Sequence, residues 1–128
     1  NHDPIGFDIN KLMESYLSNR ANIYICNSFG QINYWSLLSH AHIVIGNSSS
    51  GLVEAPFLGT WTIDVGNRQE GRIFGKTVRR VAINQKEIKT ALNNFLIMDR
   101  PSDHSSPYGD GNTSKKILKI LLSYFKKV

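Results

Sequence analysis

The chain has 128 residues, which suits one domain, and 41% of them are hydrophobic, enough for one real core. Apolar runs recur along most of it, which excludes disorder as the global state. The net charge of +5 is modest, and five C-terminal lysines (Lys115, Lys116, Lys119, Lys126 and Lys127) supply a third of the fifteen Lys and Arg.

Those lysines alternate with Ile117, Leu118, Leu121, Leu122 and Phe125. The pattern is that of a solvated helix face complementing the dipole at its C-terminus. No interleaving of basic and aromatic residues of the stacking kind occurs elsewhere, so nucleic acid is not an expected partner. The single cysteine, Cys26, excludes an internal disulfide and fits a reducing compartment. It ends the run Tyr24-Ile25-Cys26 and is expected to be a small buried hydrophobe. No apolar run approaches a membrane span and no signal peptide opens the chain, so no membrane partner is expected and the cytoplasm is the default location. The opening Asn1-His2-Asp3-Pro4 lacks a Met, so a processed chain or a piece of a longer one is expected.

In chain order, Ile9, Leu12, Met13, Tyr16 and Leu17 share one helical face, which predicts a helix from about Phe7 to Asn19. Asn22–Ile25 reads as a short strand. Ile32–Ser39 reads as a helix of poor period carrying Trp35, Leu37 and Leu38. Ile43–Ile45 is a continuous apolar run, as in a strand buried on both faces. Gly51–Leu58 is a short helix limited by Pro56 and ended by Gly59, where a left-handed cap is favoured. Thr60–Val65 is a strand, Arg68–Gly75 a polar segment between glycines, and Val78–Ile83 another strand. Gln85–Ile97 is amphipathic through Ile88, Leu92, Phe95 and Leu96. Arg100–Asn112 is a loop, and Thr113–Lys127 a final helix. Alternating helices and short apolar strands predict an α/β fold, a Rossmann-like parallel sheet covered by helices on both faces. Such sheets bind ligands at the carboxyl ends of their strands, where strand order reverses.

The serine-rich turn Gly46-Asn47-Ser48-Ser49-Ser50-Gly51 lies at such an end. Gly46 and Gly51 let the backbone bend and approach a ligand. Three hydroxyls, backbone N–H groups and a helix N-terminus together favour an anion, with a diphosphate as the natural guest. The plainer reading is a helix cap, which one serine would satisfy. Glu54, one turn along, can accept from a ribose hydroxyl. No Lys follows Gly51 and no GxGxxG spacing is present, so ATP hydrolysis and NAD are disfavoured while a nucleotide-sugar diphosphate stays open. Arg68 and Arg72, in Gly66-Asn67-Arg68-Gln69-Glu70-Gly71-Arg72, can clamp phosphate oxygens or instead pair with Glu70. Phe29, in Ser28-Phe29-Gly30, can bound a base pocket or be a core residue under a turn. His40 closes a helix and His42 leads into a strand, and neither has a spaced partner for a metal. His2, Asp3 and Glu54 are candidates for acid–base work that spacing does not single out.

The stretch GNSSSGLVEAPFLGTWTIDVGNRQEGR resembles the signature of the hydrolysing UDP-N-acetylglucosamine 2-epimerases of sialic acid synthesis, whose members read close to GNSSSGIIEAPSFGVPTINIGDRQKGR. SPYGDGNTSKKI is similar to that family's YGDG-plus-helix ending, and NHDPIGFDI to its Asn-x-Asp segment. The non-hydrolysing relatives usually carry DSGGIQEEA at the turn. The resemblance implies most of the C-terminal domain of a two-domain GT-B enzyme. It also implies elimination of UDP followed by hydration to N-acetylmannosamine, with no metal or redox cofactor. Its UDP contacts carry over as Phe29 at the uracil pocket, Ser48, Ser49 and Gly51 at the diphosphate, Glu54 at the ribose and Arg68 at the phosphates. Asn1 and Asp3 match a sugar-facing segment and are the weak catalytic candidates here. Trp61 stands where the family usually has proline, and Asn67 where Asp or Thr is common.

The family's acid–base carboxylates belong mostly to an N-terminal domain that this chain lacks, and the first strand of the C-terminal domain is also expected to be missing. The isolated chain is therefore expected to be inactive and to bind UDP weakly. A strand left without its neighbour predicts self-association into a homo-oligomer. The rival readings are the same chemistry on a UDP-2,4-diacetamido-trideoxyhexose of the legionaminic acid route, a GT-B glycosyltransferase, and a non-catalytic nucleotide-binding module.

Overall fold

A computed structural model describes residues 4–17 and 20–125, with side chains from Lys11 onward. Its elements are α1 (Pro4–Leu17), α2 (Gly30–His40), β1 (Ile43–Gly46), α3 (Ser50–Phe57), β2 (Trp61–Val65), β3 (Val78–Val81), α4 (Gln85–Leu96) and α5 (Thr113–Phe125). They divide into one unit up to Gly30 and a second from Gln31 onward.

The second unit is an α/β sheet. Its strands run parallel in the order β1-β2-β3, with Val44 beside Thr62 and Thr62 beside Val78. Side chains alternate across the sheet, so Trp61, Ile63 and Val65 share one face with Val81, and Thr62 and Asp64 take the other. On the first face Ile63 and Val81 pack with Ala91 and Phe95 of α4, flanked by Ile43, Ile88 and Leu92. Full burial of each large side chain there contributes about 1.5–3 kcal/mol. Trp61, the residue that departs from the family pattern, stacks on Phe95 with ring centroids 4.6 Å apart and donates its indole N–H to Asp99 O. That contact gives the bulky ring a role in the core.

The opposite face carries α3. Gly51 sits so close to the sheet that a Cβ there would lie 2.7 Å from Thr62 Cγ2. Thr62 Oγ1 donates to Gly51 O at 2.7 Å, pinning the first turn of α3. Pro56 is buried near the end of this helix, and Gly59 follows at φ 69°, the left-handed cap read from the sequence. The expected helices on both faces are therefore present. Strand order, however, does not reverse within these three strands. β1 is an edge, and its Ile45 is exposed.

The first unit differs from its expectation. Asn22–Ile25 forms no strand: residues 20–29 are irregular, and Asn22 turns at φ 67°. A strand exists only through hydrogen bonds to a neighbour, and this unit holds no other extended segment among the described residues. Cys26 is exposed rather than buried, because the strand that would have covered it is absent; its thiol donates to Ser28 O at 3.2 Å. No helix among the described residues is long and apolar enough to cross a membrane.

Candidate functional site

The site is built where β1 stops. Gly46 ends the strand, Asn47 and Ser48 form the turn, and Ser49 leads into α3. Ser49 has helical dihedrals (φ −61°, ψ −23°) and makes no side-chain cap bond. The capping explanation for the serines therefore fails at the one residue positioned to cap. Ser48 Oγ accepts from Ser50 N at 3.4 Å, and Gly51 N donates to Ser48 O at 3.1 Å. The backbone N–H groups of Asn47, Ser48 and Ser49 donate to no group among the described residues. Unfilled donors at a strand end and a helix N-terminus together make an anion-accepting concavity.

Glu54 is held rather than loose. Ser50 Oγ donates to Glu54 Oε2 in a short hydrogen bond. Ser50 has one hydroxyl hydrogen, so the contact of Tyr34 OH with Ser50 Oγ at 2.8 Å is donation by the tyrosine. The relay from α2 through Ser50 leaves Glu54 Oε1 as an acceptor one turn from the serines. Glu54 also lines a cavity of about 340 Å³ with Trp35, Phe57, Leu58 and Tyr108.

The arginine-bearing loop, which joins β2 to β3, returns to the turn. Arg68 is exposed and its Nη1 reaches Asn47 Oδ1 at 3.4 Å. Glu70 makes no ion pair among the described residues, so neither arginine pairs with it. Gln69 is 4% exposed, and its Nε2 donates to Asn47 O at 2.7 Å. Arg80 on β3 donates from Nη2 to Gln69 O at 2.7 Å and from Nε to Asp64 Oδ2 at 2.8 Å. Its guanidinium also lies over the Phe74 ring at 5.1 Å.

The structure thus brings Ser48, Ser49, Gly51, Glu54 and Arg68 to one end of the sheet. Phe29 belongs to the first unit, where it lines a cavity of about 270 Å³ with Met13, Leu17, Tyr24 and Ile25. Asn1, His2 and Asp3 lie outside the described residues. Gly51 faces the sheet, so its missing side chain makes room for Thr62. His40 and His42 serve the fold, the first bonding to Ser36 O and the second to Phe95 O. Tyr34, Asp64, Gln69 and Arg80 escaped the sequence reading. Asp64 alone carried a signal there: a carboxylate inside an apolar strand needs a partner.

A family profile described as UDP-N-acetylglucosamine 2-epimerase matches residues 2–122. The chain belongs to the UDP-N-acetylglucosamine 2-epimerase family. Among curated relatives it is 29% identical over 126 residues to the polysialic acid biosynthesis protein P7 of Escherichia coli, with 94% of this chain and 32% of the relative covered. It is 38% identical over 79 residues to a UDP-N-acetylglucosamine 2-epimerase of Neisseria meningitidis, covering 61% and 21%. A GDP/UDP-N,N'-diacetylbacillosamine 2-epimerase (hydrolyzing) of Campylobacter jejuni is 37% identical over 87 residues, covering 66% and 22%. The chain spans at most about a third of the length of these relatives. Within this family member the serine turn, Glu54 and the Arg68 loop lie at one end of the sheet.

Proposed function

We propose that this chain is the UDP-binding part of a hydrolysing UDP-N-acetylglucosamine 2-epimerase, the C-terminal domain of a two-domain GT-B enzyme working in the cytoplasm. One observation carries the reading: the serine turn offers three unfilled N–H groups and the Ser49 hydroxyl beside a tethered Glu54. Two phosphates fit such donors better than a neutral ligand does. In this reading Ser48 and Ser49 hold the diphosphate, Arg68 neutralises it, and Glu54 Oε1 accepts from the ribose.

The reaction breaks the bond from the sugar C1 to the UDP oxygen as a proton leaves C2. Water then adds across the double bond with inversion at C2. This chain's share is to stabilise the departing diphosphate, where negative charge develops. The acid and base act from the remainder of the parent enzyme, so the isolated chain turns nothing over. The name of the Campylobacter relative supports a second reading, in which the sugar is a diacetamido-trideoxyhexose. In this reading the sugar-facing groups that decide between the two belong mostly to the remainder of the parent enzyme. The edge of β1, unpaired among the described residues, also supports association of the isolated chain with itself, which sedimentation at rising concentration checks.

The test is a UDP titration followed by amide NMR. Signals of Ser48, Ser49 and Glu54 should move together and saturate. UDP that leaves them unmoved sinks the reading, and robust UDP release from a UDP-sugar by this chain alone sinks its division of labour.

A further inference from the structure

We propose that Gln69 and Arg80 are positioning residues that hold the serine turn in its anion-accepting shape. The proposal rests on the diphosphate reading above. Unfilled N–H groups attract a diphosphate only if they point the same way, and a turn of small residues does not stiffen itself. Here the stiffening comes from outside the turn. Asn47 O is fixed by Gln69 Nε2, Gln69 O by Arg80 Nη2, and Arg80 Nε by Asp64 Oδ2. Asp64 is 1% exposed and stands on the central strand. The turn is therefore tied through three short hydrogen bonds to the buried central strand of the sheet.

This separates the arginines by role. Arg80 is already committed to Asp64 and Gln69 and covered by Phe74, so its charge is spent within the protein. Arg68 is exposed and, among the described residues, bonds only at 3.4 Å to Asn47 Oδ1, which leaves its fork open to a phosphate. Gln69 lies next to Arg68 in the chain, so the bond that fixes the turn also fixes the base of the Arg68 side chain. The site then needs Gln69 for geometry and Arg68 for charge.

Gln69→Met tests this in the whole 128-residue chain. The variant keeps the side chain's length and removes its amide. Arg80→Ala would strand a buried carboxylate, so the Gln69 variant carries the experiment. In the free chain the amide signals of Asn47, Ser48 and Ser49 should shift, while those of Ile63 and Ala91 stay. Titration with inorganic pyrophosphate should weaken about tenfold, the scale of one lost hydrogen bond, while uridine affinity stays within about twofold. Unmoved turn signals in a folded variant overturn the proposal, as does an unchanged pyrophosphate affinity. Equal losses for pyrophosphate and uridine overturn it too, since they mark general damage. If pyrophosphate and UDP leave the wild-type turn unmoved, the diphosphate reading itself fails, and the free-chain signals still report whether Gln69 shapes the turn.

Discussion

Helices α4 and α5 read alike in the sequence and end differently in the structure. Each spaces its apolar residues at helical intervals: Ile88, Leu92 and Phe95 lie four and three apart in the first, and Ile117, Leu121 and Phe125 four apart in the second. α4 buries Ala91 and Phe95 against the sheet, whereas α5 buries no residue at all. An amphipathic pattern says that a face wants covering. It does not say what covers it. For α4 the cover is β2 and β3 of the same unit. For α5 it is no described element, and a helix of this length gains little stability from its own hydrogen bonds.

The largest effect should separate the two directly. Phe95→Ala removes a ring that stacks on Trp61 and packs with Ile63 and Val81 of the sheet, and such truncations cost about 3–5 kcal/mol. Leu121→Ala, on the open face of α5, should change stability by no more than about 0.5 kcal/mol. Urea unfolding of both variants decides. A cost at Leu121 comparable to that at Phe95 would mean that α5 is covered after all. Under the function proposed above, the longer parent enzyme supplies that cover. In the parent, Leu121→Ala should cost about 2–5 kcal/mol, the usual penalty for a buried Leu. An unchanged small effect there would leave the face without a partner in the parent too.

The same contrast explains what was legible beforehand. β1 could be read from its unbroken apolar run, although as an edge strand it leaves Ile45 exposed instead of burying both faces, and Gly59 because a left-handed cap favours a residue without Cβ. The turn could be read because its chemistry is contiguous in the chain. Asn22–Ile25 has the side chains of a strand, but its own unit offers no neighbour to pair with, and sequence preference cannot report a missing neighbour. Tyr34, Gln69 and Arg80 were illegible for the opposite reason. Their bonds join residues 11 to 22 positions apart, so no local pattern carries them.

A smaller effect concerns how α4 begins. Asn84 is extended, and its Oδ1 accepts from the N–H groups of Lys86 and Glu87. Asn84→Ala should therefore cost about 1 kcal/mol, the ordinary value of an N-cap. The loss should be global, because α4 is part of the core. A variant that only frays the first turn, with the unfolding midpoint unchanged, would show that α4 is less firmly built into the core than its packing implies.

The smallest effect is a pH dependence confined to α5. Its start is held by a carboxylate. Asp110 accepts from the backbone N–H of Asn112 and is paired with Lys116 Nζ at 3.0 Å. The Asn112 N–H, then the Lys116 ammonium, hold the Asp110 carboxyl below its ordinary 3.8. A depressed carboxyl contributes stability that is fully present above the unfolded value and is lost as pH falls through the folded one. Both groups are well exposed, so solvent and salt screen the contribution. Acidification from pH 6 to pH 3 should therefore loosen the first turn of α5, seen as faster amide exchange near Lys116 after correction for the intrinsic rate. The first turn of α4 should stay, because the Asn84 amide that caps it does not titrate. Added salt should weaken the Lys116 pairing and leave the Asn112 bond, so part of the effect survives at high ionic strength. Equal loosening of both helices would show that the acid sensitivity comes from the core rather than from Asp110.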